Sequence, residues 1–154
     1  MLPAERSQRR LPVTLLVVTG LIVIARLTVS EPPDRVTWVP IDEASARAAA
    51  TGKPILYDFT AEWCGPCRQM AREVFADADA ARDIDARYVP VRVVDRQLEE
   101  ETNPPAVAAL QARFRIQSFP ALVIADADGG VVATLNGGRA RRQVLDFLRK
   151  NARR

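Results

Sequence analysis

The sequence predicts an α/β domain, a central mixed β-sheet flanked by helices, set behind an N-terminal transmembrane helix. Three observations carry this. Short apolar runs at residues 55–60, 88–94, 121–125 and 131–135 have strand length, and a helix-length stretch separates the first two. Residues 11–29 form an apolar run of 19 residues broken by a single charge, Arg26. The chain's 2 cysteines stand three apart in Trp63-Cys64-Gly65-Pro66-Cys67, just after the first strand-like run.

Each element follows from local pattern. Residues 42–50 are Ala-rich and helical in character, and Gly52 after them suits a C-terminal cap. Residues 55–60 are continuously apolar except for Asp58, the pattern of a central buried strand. A helix is expected over 65–81, with Met70, Val74, Phe75 and Ala78 on one face. The strand at 88–94 then pairs with the first through a right-handed parallel crossover. Residues 97–103, with Glu99, Glu100 and Glu101, read as an exposed loop, and Asn103-Pro104 as the N-cap and first position of a helix through Phe114. The runs at 121–125 and 131–135 form a hairpin around Asp128-Gly129, and residues 139–151 are the closing helix. Its basic residues Arg141, Arg142, Arg149 and Lys150, with Arg153 and Arg154 beyond, read as a solvated face.

The N-terminal segment divides into residues 1–10, a membrane anchor at 11–29 and a linker at 30–40, leaving 41–154 for the domain. Residues 11–25 carry no charge, and Arg26 lies close enough to the far end of the helix to snorkel. Arg6, Arg9 and Arg10 precede the run, so the N-terminus is expected in the cytoplasm and the domain in the periplasm or another extracytoplasmic space. Val23-Ile24-Ala25 leaves a cleaved signal peptide as the alternative; an uncharged core of 15 residues favours the anchor. Either way the domain is exported. A linker containing Pro32, Pro33 and Pro40 should be extended and hold the domain within roughly 30 Å of the bilayer.

Charge narrows the partners. Of 22 basic and 19 acidic residues, four and two precede Asp34, so the remainder nearly cancels and gives no argument for nucleic acid. The cysteine pair admits three readings. Zinc would need more soft ligands than a chain with 2 cysteines and 0 histidines supplies. A purely structural disulfide across so short a loop constrains the unfolded chain little. A cycling dithiol is favoured: a thiolate at Cys64, at the helix start, meets unpaired backbone N–H groups, and Cys67 lies one turn on along the same face. Cys64 is then the nucleophile and Cys67 the resolving thiol. With no histidine present, Asp58 is the candidate proton acceptor for Cys67, since burial in its strand raises the carboxyl pKa. Trp63, an aromatic with a polar edge, suits the binding surface beside the motif.

The stretch from Asp58 to Cys67 resembles the active-site segment of the thioredoxin family. Phe114-Arg115-Ile116-Gln117-Ser118-Phe119-Pro120 resembles that family's approach to its cis-proline loop, and Asp128-Gly129 and Gly137 its terminal hairpin. The likeness runs over residues 38–151. It implies a thioredoxin fold, a redox disulfide between Cys64 and Cys67, a cis Pro120 facing it, and a Phe119 backbone free to pair with a substrate strand. Trp63, Gly65, Pro66, Phe119 and Pro120 would form the substrate surface. Three departures are visible. Phe119 is larger than the family's usual residue, residues 95–120 are longer than in a minimal thioredoxin, and Val91 stands where a strand lysine often neighbours the buried acid. The longer segment resembles exported thioredoxin-like domains, including the C-terminal domain of the transmembrane thiol:disulfide interchange reductase.

The expected function is a membrane-anchored dithiol reductase of exported protein disulfides. Gly65-Pro66 places no imidazolium between the cysteines to stabilise the thiolate and make the couple oxidising. A disulfide oxidase or isomerase of similar fold, and a non-enzymatic partner-binding module, are the alternatives. No cofactor or metal is expected, so electrons must come from a separate donor protein, a membrane reductase being the expected kind.

Overall fold

A computed structural model of the chain describes residues 33–152. The expected segments at 1–10 and 11–29 lie outside the described residues, as do most of the termini's basic residues. Among the described residues no helix is long and apolar enough to cross a membrane.

A 3-10 turn at Ile41–Glu43 leads into α1 (Ala44–Thr51), then β1 (Ile55–Ala61), α2 (Gly65–Met70), α3 (Ala78–Arg87) and β2 (Val89–Asp95). A short α4 (Gln97–Glu100), α5 (Pro105–Phe114), β3 (Ala121–Ala125), β4 (Val131–Asn136) and α6 (Arg141–Asn151) complete the order. The sheet runs β2-β1-β3-β4, with β1 parallel to β2 and the other pairs antiparallel.

Strand alternation divides the core into two layers. Leu56, Leu122 and Ile124 face Met70, Val74, Phe75, Ile84, Val144 and Leu148, which come from α2, the turn after it, α3 and α6. Ile55, Tyr57, Phe59, Val91 and Val93 face Ala44, Ala48 and Val107 from α1 and α5. β1, covered on both sides, is therefore the apolar run its sequence suggests.

Several expectations are corrected. The helix expected over 65–81 is two. After Met70 the backbone widens into a π turn at Ala71–Phe75, with Ala76 N–H donating to Ala71 O at 2.8 Å. Asp77 then takes an extended conformation and accepts from Ala80 N–H at 2.9 Å, capping a new helix that continues to Arg87. An aspartate that can bond a nearby backbone N–H starts a helix more readily than it continues one.

Residues 97–103 are not wholly a loop: α4 makes one helical turn before Glu101 reverses the chain at φ 61. Asn103 does not cap α5, whose N-cap is Pro104 and first helical residue Pro105. Its amide is used sideways, accepting from Arg96 N–H at 2.7 Å and donating to Asp95 at 2.6 Å and Gln111 at 3.0 Å. The closing helix starts at Arg141 rather than 139, where Gln143 Oε1 accepts from Ala140 N–H at 3.2 Å.

Gly52 caps α1 as expected, in the left-handed conformation at φ 70. Gly129 turns the β3–β4 hairpin at φ 80, and a Cβ there would lie 1.8 Å from an Arg113 guanidinium nitrogen.

Candidate active site

The redox pair sits where β1 hands over to α2. Cys64 is the N-cap: its N–H donates to Ala61 O at 3.1 Å, and its Sγ accepts from Cys67 N–H at 3.2 Å. Pro66 within the first turn costs no hydrogen bond there, because that N–H has no intrahelical partner. Cys64 and Cys67 are joined as a disulfide with Cα atoms 5.2 Å apart, and both are buried. Gly65 and Pro66 are exposed beside them.

The segment after α5 supplies the facing wall. Phe119-Pro120 is a cis peptide, as the resemblance implied. Phe119 packs on the cluster of Ala61, Cys64 and Cys67, and its ring meets Trp63 edge-on at 5.9 Å between centroids. Trp63 is 51% exposed, so it presents an aromatic surface rather than filling the core. The loop after β4 closes the third side. Gly137 N–H donates to Pro120 O at 2.8 Å, and a Cβ on Gly138 would stand 3.1 Å from Pro66 Cβ. Gly138 was not singled out from sequence; its neighbour Gly137 marked the loop, but nothing local shows that its partner is Pro66, 72 positions earlier.

Asp58 lies on the β1 face that it shares with Leu56, the face covered by Met70, Val74 and Phe75 of the dithiol helix and its π turn. It is 1% exposed, and its Oδ1 has no hydrogen-bond partner among the described residues. Burial pushes its carboxyl up to about 6; Arg92 pulls the other way without prevailing, and Asp34 adds a small upward push.

Arg92 corrects the reading of Val91. Val91 is fully buried on the opposite face, but Arg92 pairs with Asp58 in the parallel register and donates from Nε to Asp58 Oδ2 at 3.0 Å. The guanidinium also bonds Asp34 and lies 4.1 Å over the Trp38 ring and 5.2 Å from that of Phe75. The sequence signal was present: Arg92 interrupts one apolar strand as Asp58 interrupts its neighbour.

A second buried acid, Asp95, ends β2. Burial raises its pKa, but hydrogen bonds from Gln111, Asn103 and Gln97 N–H together outweigh that and leave the carboxyl below its usual range. On α6, Arg141 bonds Asp77 at 3.1 Å and the Glu73 carbonyl at 2.8 Å, and Arg149 pairs with Asp146, so part of the basic charge on that helix is answered locally.

A disulfide at a strand–helix junction, packed against the Phe119 of a cis Phe-Pro bond, on a mixed sheet between two helical layers, defines a thiol-disulfide oxidoreductase. A family model described as a thioredoxin-like domain matches residues 41–152, and the chain belongs to that family. It is 32% identical over 117 residues to thioredoxin from Acidithiobacillus ferridurans, a match covering 75% of this chain and 94% of that one. It is 36% identical over 89 residues to the thiol:disulfide interchange protein DsbD of Ralstonia nicotianae, covering 58% of this chain but only 14% of DsbD. A solution structure of a thioredoxin from Thermus thermophilus superposes with a TM-score of 0.62 at 31% identity, over 75% of this chain and 86% of that one.

Proposed function

We propose that this protein is a dithiol reductase of exported protein disulfides, held at the membrane by residues 11–29 with its thioredoxin-like domain on the extracytoplasmic side. The observation that carries the reading is the Cys64–Cys67 pair itself, with Cys64 Sγ accepting from Cys67 N–H and no imidazole anywhere in the chain. A hydrogen bond to sulfur favours the thiolate, but without a cationic neighbour between the cysteines it does so modestly, which suits a reducing couple.

The Cys64 thiolate attacks one sulfur of a partner disulfide; a Cys64–partner bond forms and the partner's other sulfur leaves as a thiolate. Asp58 takes the proton of Cys67, whose thiolate attacks Cys64, forming the intramolecular disulfide and releasing the second partner sulfur. Two electrons have passed to the partner, and a donor protein restores the dithiol by the reverse exchange. Phe119 offers its backbone to the partner strand, with Trp63, Gly65, Pro66 and Pro120 around it. The likeness to one part of DsbD supports an exported setting and a protein electron donor.

Trapping with Cys67→Ser in cells is the decisive experiment. Mixed disulfides through Cys64, and a wild-type pair held mainly reduced at steady state, are the expected results. A wild-type pair held mainly oxidised, or partners linked through the other cysteine in a Cys64→Ser variant, would overturn the reading.

A further inference from the structure

The segment between Asp95 and Pro120 does more than lengthen the domain: it builds a second wall beside the disulfide. A groove of about 530 Å³ is lined by Trp63 and Phe119, by Gln97 and Leu98 of α4, and by Glu101 and Ile116. Leu98, on α4, is 72% exposed, in a one-turn helix that buries none of its own residues. Phe119 lines this groove and also packs on the cluster of Ala61, Cys64 and Cys67, so the groove is continuous with the place where a partner sulfur must sit.

The wall is anchored. Asp95 lines the groove and is fixed by Asn103 at 2.6 Å and Gln111 at 2.7 Å, which tie the start of the excursion to its end and to α5. The rim is acidic. Arg96 answers Glu62 at 3.2 Å and Glu100 at 3.4 Å, whereas Glu99 and Glu101 have no ion pair among the described residues. Glu101 lines the groove itself, and Arg115 lines only the adjoining cavity beyond it.

We propose that α4 and Glu101, with Trp63, Ile116 and Phe119, form a specificity subsite for an extended partner segment that carries an apolar and a basic side chain beside its reactive cysteine. The apolar side chain covers Leu98 and Trp63, two exposed apolar groups that water leaves unsatisfied. The basic side chain meets Glu101, and Glu99 on the adjacent one-turn helix adds longer-range negative charge, which speeds encounter and rejects acidic segments. The subsite rests on the thiol-disulfide exchange proposed above and names which disulfides are preferred.

The test uses the full-length protein, reduced and in detergent, against two peptides, each joined through its cysteine to glutathione. One carries Leu-Cys-Lys and the other Ser-Cys-Glu. We expect wild-type kcat/KM to favour the first by about tenfold at low salt, the gap narrowing at high salt. Leu98→Ser should cut that ratio about fivefold, and Glu99→Gln with Glu101→Gln should remove its salt dependence; both variants change exposed side chains, and an unchanged circular dichroism spectrum shows that they fold. Equal rates for the two peptides, or a ratio that neither variant changes, would overturn the subsite and leave the exchange reading intact. Failure of the wild-type protein to reduce either peptide would overturn both.

Discussion

Arg92 Nε meets Asp58 Oδ2 at 3.0 Å across the parallel β1–β2 register, while the other carboxylate oxygen, Oδ1, has no partner among the described residues. The pair is lopsided: one oxygen is held by a permanent cation and the other is an open acceptor buried on the side of the dithiol helix. Such an arrangement fixes the carboxylate's orientation without fully neutralising the cost of its charge, which is what keeps a proton exchangeable near neutrality.

Arg92→Gln should therefore move the pH dependence of mixed-disulfide release. Arg92 lowers the Asp58 pKa, and its removal raises that pKa further, by about one unit for a close charge lost from a buried site. The pH–rate midpoint of the resolving step should move upward by a similar amount. The variant also loses the stacking on Trp38 and the bond to Asp34, so urea unfolding should show a loss of about 1–2 kcal/mol. An unchanged midpoint in a folded variant would remove Arg92 from the proton path.

Gly129→Ala tests the hairpin. The residue holds φ 80, and the Arg113 guanidinium occupies the space a Cβ needs. A loss of about 1–3 kcal/mol is expected, part of it recovered in Gly129→Ala with Arg113→Ala, because the double variant relieves the clash but not the backbone strain. Equal losses in the single and double variants would show that the guanidinium simply moves aside.

What could be read from the sequence was what repeats locally. The two-layer sheet, the β1–β2 crossover and the placement of Cys64 and Cys67 follow from apolar runs and a short motif, each settled within a few residues. What could not be read depends on side chains choosing between local and distant partners. Asp77 takes a nearby N–H and splits one expected helix; Asn103 forgoes a cap to bind Asp95 and Gln111, eight residues away in either direction. The Arg92–Asp58 pair needs the strand register, since a shift of one residue would turn Arg92 toward the opposite layer.

Asp95 links the groove wall to acid stability. Its carboxyl is held below the usual range, so its contribution is present above the unfolded-state pKa near 4 and is lost as pH falls through the lower folded value. Asp95→Ala strands the donors of Asn103, Gln111 and Gln97 and should cost about 2–3 kcal/mol at pH 7. The difference from wild type should shrink below pH 4 in urea unfolding. A constant difference across that range would mean that packing, not the carboxylate, carries the loss.

The proposed anchor has its own test. The full chain should stay with membranes through carbonate extraction, and its domain should be cut by protease added from the extracytoplasmic side only, as Arg6, Arg9 and Arg10 before the apolar run require. Release by carbonate, or a mature N-terminus at Arg26, would instead establish a cleaved signal peptide.

Asp58→Asn separates stability from catalysis. The native carboxyl titrates at about 6 against an ordinary value of 3.8, so between these values the folded state binds the proton more tightly than the unfolded chain. Stability therefore falls as pH rises through that window and levels off above it, at a cost on the order of 3 kcal/mol by pH 8. Asparagine escapes this cost while forgoing the ionic bond to Arg92. The variant should be the more stable protein at pH 8, by at most about 3 kcal/mol, with the advantage vanishing near pH 4. Its resolving step should move in the opposite direction. Near pH 7 wild-type Asp58 is largely ionised and can accept the Cys67 proton, whereas the amide cannot, so release of the mixed disulfide should slow at least about tenfold. Below pH 6 the wild-type acid is itself protonated and the two rates should approach each other; above pH 9 they should converge again as Cys67 ionises unaided. Stopped-flow reduction of a model disulfide from about pH 5 to 10, beside urea unfolding from about pH 4 to 8, reads both effects. A stabilised variant with wild-type rates at pH 7 would leave Asp58 a buried acid without a part in proton transfer.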